Sequence, residues 1–127
     1  MQLQDRLFLR RHTERETRIT APGPFTMLRQ AQNDSHASEE DAAMDCAAAV
    51  SAGIRDRFAA GADVVQTDEP CMQARPEKAR TVGLAALNRA REGITGSTAV
   101  QICFGYAAII RLRATGRPSG WPGPHRP

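Results

Sequence analysis

A parallel α/β chain is the fold class the sequence predicts, and three observations predict it. Short apolar or β-branched runs alternate with helical stripes, in the order strand, helix, strand, helix, strand. The turn between the longest helical stripe and the strand after it, in FAAGADVV, is only a few residues, as compact α/β units require. Each strand also ends in a patch of Gly, Pro, acid or amide: GPFT, DEP and QICFG. Strands separated by helices must run parallel, with right-handed crossovers, and parallel sheets gather their chemistry at the C-terminal strand ends. The three patches are therefore expected to face one mouth.

Each element has its own local reason. In LQDRLFLRRH (3–12), Leu3, Leu7 and Phe8 fall at helical spacing and predict a first helix. TRIT (17–20) is β-branched and reads as a strand, and Pro22, Gly23 and Pro24 of APGPFT read as a constrained loop ending it. Gly23 is expected to allow close approach of the backbone to a ligand. Ser38 followed by Glu39, Glu40 and Asp41 is a strong helix start. Ala43, Cys46, Val50, Ile54 and Phe58 then form one apolar stripe, with Cys46 as a core thiol. Gly61 supplies the C-terminal stop, and Ala62–Thr67 reads as the second strand. Pro70 turns the chain toward the next helix. Pro76 fits a first helical position, with Ala79, Val82, Ala86 and Ala90 as the stripe, and Gly93 and Gly96 close that helix. STAVQICF (97–104) is the third strand, and Ala107–Leu112 begins another apolar segment.

From Arg111 the pattern is lost. RLRATGRPSGWPGPHRP holds four of the eight prolines, so 1–110 is read as the folded domain and 111–127 as an irregular tail. Trp121 and His125 in that tail receive no role.

Composition excludes several classes. The chain of 127 residues is 41% apolar and 24% charged, and carries +3. Its sixteen arginines alternate with acids in ERETR and RDR, and only six residues are aromatic. A nucleic-acid surface would gather cations on one face among aromatics. No apolar run approaches the ~20 residues of a membrane span, and the charged N-terminus lacks the apolar core of a secretory signal. A cytoplasmic protein is expected, with no nucleic acid and no membrane as partner. Cys46, Cys71 and Cys103 are widely spaced, without a CxxC, and read as free thiols. Cys71 reads as an incidental loop cysteine, and His12 and His36 as surface residues.

The strand-end acids Asp68 and Glu69 are the main candidates for a site, since a parallel sheet presents such residues to its mouth. Gln30, Gln32 and Asn33 of RQAQND, within reach of the same mouth, are given no role. ITAPGPFTMLRQAQND, FAAGADVVQTDEPCMQARPEKAR and ALNRAREGITGSTAVQICFGYAA together resemble the catalytic-domain family of cobalamin-independent methionine synthase. The resemblance runs from about Phe8 to Ile110.

That resemblance implies a (β/α)8 TIM barrel, present here as a partial barrel of about three βα units. It implies transfer of a methyl group from a methylated folate to homocysteine, whose thiol is activated by zinc. It implies that Asp68 binds the amino group of the substrate, with Glu69 of the same motif in a supporting substrate-binding role. It also implies a His-x-Cys metal pair at the end of the third strand, where both side chains would share one face. Here Cys103 matches the cysteine, and Gln101 stands in place of the histidine. An amide is a poor zinc ligand beside imidazole, so Cys103 is the one metal ligand carried over. A whole barrel needs about 250 residues. The open sheet edges of a partial one imply a complementary chain or self-association, and the loss of pattern near Arg111 suggests a truncated or frameshifted reading frame. The alternatives are a catalytically silent fragment that binds a ligand or partner, or a relative of the uroporphyrinogen-decarboxylase-like methyltransferases.

Overall fold

The computed structural model describes residues 3–103. The expected end of the third strand at Phe104, the apolar segment 107–112, the domain boundary at 110 and the tail 111–127 lie outside the described residues. Three strands, β1 (Arg18–Pro22), β2 (Val64–Asp68) and β3 (Ser97–Gln101), form one sheet in the order β1-β2-β3. Both pairings are parallel, with Ile19 opposite Val65 and Val65 opposite Thr98. The expected α/β alternation of three parallel strands is thus the observed one.

The crossover from β1 to β2 contains α2 (Pro24–Gln30) and α3 (Glu39–Ala59), and α1 (Leu3–His12) precedes β1. The crossover from β2 to β3 contains α4 (Pro70–Ala74), then α5 (Pro76–Lys78) running through a π-helical stretch (Ala79–Gly83) into α6 (Leu84–Arg91). Side chains alternate across a strand. Ile19 and Val65 therefore point to the helix layer, where they join Phe25, Val50, Ile54, Val82, Ala86 and Ala90 in one buried core. The opposite face carries Thr20, Gln66, Asp68 and Gln101.

α3 forms where its cap and stripe place it. Ser38 Oγ accepts the Asp41 N–H at 3.1 Å and donates to Asp41 Oδ2 at 2.8 Å, so side chain and backbone close the first turn together. Ala43, Val50 and Ile54 are buried. Cys46 and Phe58 are half-buried and pack against the core rather than within it. Gly61 follows the helix at φ 89°, a left-handed conformation that costs any other residue. The stripe Ala79, Val82, Ala86 and Ala90 is buried throughout.

Other expectations are corrected. GPFT is no loop: Pro22 ends β1 and Pro24 is the first residue of α2, where its fixed φ suits a helix and its missing N–H costs nothing. Pro70 likewise opens a helix, which makes Cys71 a half-buried helical residue packed on the core. β2 reaches Asp68, and β3 stops at Gln101, two residues short of Cys103. α1 is helical, but Leu7 and Phe8 remain 47% and 61% exposed, so helical spacing there predicted the element and not its burial.

Candidate strand-end site

Parallel pairing brings the ends of all three strands to one edge. Main-chain bonds lock them there: the Gly23 N–H donates to the Asp68 carbonyl at 2.9 Å, and the Glu69 N–H donates to the Gln101 carbonyl at 2.8 Å. The dipeptide Asp68-Glu69 is therefore the knot that ties β1, β2 and β3 together.

The side chains of that dipeptide part company. Asp68 is half-buried, and it shares a face of β2 with Gln66, two residues earlier. The Gln66 amide, Nε2, donates to Asp68 Oδ1 at 2.6 Å and to Gln101 Oε1 at 2.5 Å. Asp68 Oδ2 has no partner among the described residues. Asp68 lines an open cleft of about 310 Å³ together with Thr20, Ala21, Pro22, Thr26, Gln30 and Pro70. One carboxylate oxygen is thus pinned and the other is available in a cleft walled by β1, β2 and α2. That arrangement suits a ligand ammonium group, for which a fixed carboxylate is a strong hydrogen-bond acceptor.

Glu69 turns the other way and is fully buried. Its Oε1 accepts the Phe25 N–H at 3.0 Å, and its Oε2 accepts both the Thr26 N–H at 2.8 Å and the Thr26 hydroxyl at 2.7 Å. Those amides are among the orphan donors of the first turn of α2, so Glu69 caps that helix from just beyond the end of β2. Burial pushes the Glu69 carboxyl above its ordinary 4.5, while the bonds from Thr26 and Phe25 pull it back. Gly23 makes room: a Cβ there would lie 2.2 Å from the Glu69 Cδ and Oε1. The close approach expected at Gly23 is therefore to Glu69, and Glu69 reaches the helix cap rather than the cleft.

The remaining candidates are dispersed. Gln30 lines the Asp68 cleft. Gln32 and Asn33 line a separate, mostly apolar cleft with His36, Asp45 and Cys46, where His36 Nε2 lies 2.8 Å from Asp45 Oδ2. Burial, assisted by the Asp45 charge, pushes the Cys46 thiol up, which leaves it protonated and unreactive near neutral pH. His12 stacks on Phe8 at the surface. Cys103 is half-buried beyond the end of β3. Among the described residues, no three His, Cys, Asp or Glu side chains come together as metal ligands, and the Gln101 oxygen is taken by Gln66. These residues do not by themselves fit a zinc site. Gln66, Thr20 and Thr26 were missed in the sequence; for Gln66 the signal was its spacing of two from Asp68 on a strand.

A three-stranded parallel sheet whose strand ends meet beside a cleft holding the Asp68 carboxylate defines an α/β protein with its candidate site at the C-terminal edge of the sheet. The family "Cobalamin-independent synthase, Catalytic domain" matches residues 1–100, and the chain belongs to that family. A methionine synthase of Saccharolobus islandicus is 32% identical over 93 residues, which are 73% of this chain and 28% of that protein. The methionine synthase of Saccharolobus solfataricus matches to the same extent. A B12-independent methionine synthase from a Shewanella species, solved in complex with selenomethionine, superposes with a TM-score of 0.77 at 32% identity. That match covers 90% of this chain and 34% of the other. The three parallel strands and their two helical crossovers are therefore part of a TIM-barrel fold, and the chain spans about a third or less of the relatives it matches.

Proposed function

We propose that this chain carries the amino-acid-binding part of a methionine-synthase site, with Asp68 receiving the α-ammonium of homocysteine or of its methylated product. The observation that carries this reading is the Asp68 carboxylate, one oxygen held by Gln66 and the other open to the cleft. Family membership supports the substrate class, and the Shewanella relative holds a selenium analogue of methionine. In the family reaction a methylated folate gives its methyl group to the homocysteine sulfur. Bound zinc supplies thiolate activation there; from this chain Cys103 is the one donor that matches. Glu69 serves the site indirectly, through α2. A cytoplasmic location goes with membership of the family, and among the described residues no helix is long and apolar enough to cross a membrane.

Ligand binding without thiol activation is a second reading, favoured by the Gln66–Gln101 hydrogen bond at the position of the metal pair. A complementary chain or a second copy is the macromolecular partner on either reading. Calorimetry with L-methionine tests the proposal. Asp68→Asn keeps the shape and removes the charge, so affinity should fall by about tenfold or more, the worth of one charge-assisted bond. Equal affinity in the variant would remove Asp68 from the site. Methylation of homocysteine from a methylated folate separates the two readings: turnover supports the first, and binding without turnover the second.

A further inference from the structure

We propose that Glu69 is a positioning residue: by clamping the first turn of α2 onto the end of β2, its carboxylate sets the geometry of the cleft in which Asp68 meets its ligand. The ligand half of this inference rests on the reading of Asp68 above; the clamp itself does not.

Glu69 is the one charged side chain among the buried described residues. Among the described residues no cation pairs with it; its partners there are two amides and a hydroxyl, all on residues 25 and 26. A buried carboxylate is costly, and a seven-residue helix does not need one from elsewhere in the fold. Ser, Asp or Asn at position 23 would serve those donors from within the same segment. Position 23 is instead glycine, in ordinary extended backbone, with the Glu69 side chain filling the space a Cβ would take. The cap comes from 44 residues away, and a cap borrowed from another element fixes two elements relative to each other.

What it fixes are the walls of the cleft. Thr26 and Gln30 on α2 form one side, and Asp68 and Pro70, the two neighbours of Glu69, form the other. The Thr26 hydroxyl donates to Glu69, so its orientation follows that of the carboxylate. The Gly23 N–H to Asp68 carbonyl bond adds a main-chain tie at the same point. Loosening Glu69 therefore moves the α2 wall against Asp68 without touching Asp68 itself.

Glu69→Gln in the full chain is the test, since it keeps the volume and turns one acceptor into an NH2 group facing donors. Amide hydrogen exchange at Phe25 and Thr26 should accelerate by at least about tenfold relative to Val65 and Thr67 in the same molecule, one net hydrogen bond to a charged group being worth that factor. The L-methionine dissociation constant should rise by about tenfold or more. A uniform acceleration across all four amides would reduce Glu69 to general stability and overturn the proposal, as would an affinity within about twofold of the parent. If the parent protein fails to bind L-methionine, the reading of Asp68 falls, and the exchange ratio alone decides the clamp. Should Glu69→Gln not fold, Thr26→Val removes the hydroxyl donor alone; local acceleration at Phe25 and Thr26 supports the clamp, and unchanged exchange there contradicts it.

Discussion

Gly23→Ala should be severe in the native protein and nearly silent once Glu69 is removed. The backbone at Gly23 (φ −78°, ψ 160°) is open to any residue, so alanine meets no conformational penalty there. The penalty is steric: the new methyl group would sit 2.2 Å from Glu69 Cδ and Oε1 and 2.5 Å from Cγ. Either the backbone shifts, at an overpacking cost of about 1–3 kcal/mol, or the carboxylate withdraws from donors worth about 1.5–3 kcal/mol each. The cheaper route sets the cost, giving about 1–3 kcal/mol. Glu69→Ala deletes every atom the methyl group meets, so Gly23→Ala in that background should cost no more than about 0.5 kcal/mol. Urea unfolding of the four proteins in the double-mutant cycle gives a coupling of about 2 kcal/mol on this account. Because Glu69→Ala leaves three buried donors without a partner, against a typical stability of about 5–15 kcal/mol, the cycle is best run in a stabilising osmolyte. An equal cost for Gly23→Ala in both backgrounds would refute the interlock.

The other predictions concern separate parts of the fold. Ser38→Ala removes the α3 cap and should cost about 1 kcal/mol by urea unfolding; no change would mean the first turn of α3 is held by other contacts. Burial raises the Glu69 carboxyl above 4.5, so protonated Glu69 supports the fold fully below that value, and this support is lost as pH rises through its elevated folded value. The stability difference between parent and Glu69→Gln should therefore shift against the parent from about pH 4 to about pH 7; a constant difference would contradict the buried placement. Gln101→His supplies the imidazole that the family resemblance implies for that position and should raise zinc affinity by about tenfold or more, measured against a chromophoric chelator, with Cys103→Ala abolishing the gain. An affinity unmoved by the histidine would show that position 101 is not beside a metal.

Legibility in the sequence followed how locally each element is determined. α3 was readable because its cap, its stripe and its Gly61 stop all lie within one stretch of chain. α2 was not, because the two prolines around Gly23 read as a loop and the cap that makes the segment helical is Glu69, far away in sequence. Asp68 was singled out by the rule that parallel strands present their ends to the mouth, and it lines the strand-end cleft. Its neighbour Glu69 was expected in a supporting role at the same mouth, and only the placement of α2 reveals that the second acid is turned inward. The reach of β3 was overestimated: V, Q, I and C continue the β-prone pattern, but pairing with β2 ends where Asp68 meets Gln101. Cys103 consequently lies past the ladder, two residues beyond the last paired position.

The central claim is that Asp68 holds the amino group of a methionine-type ligand. A crystal of the chain grown with selenomethionine tests it most directly, because the anomalous selenium signal locates the ligand unambiguously. The account predicts selenium density in the cleft between Asp68 and Gln30, with the ligand nitrogen at about 2.7–2.9 Å from the free Asp68 oxygen. Selenium bound elsewhere, or a cleft without density at saturating ligand, would contradict it.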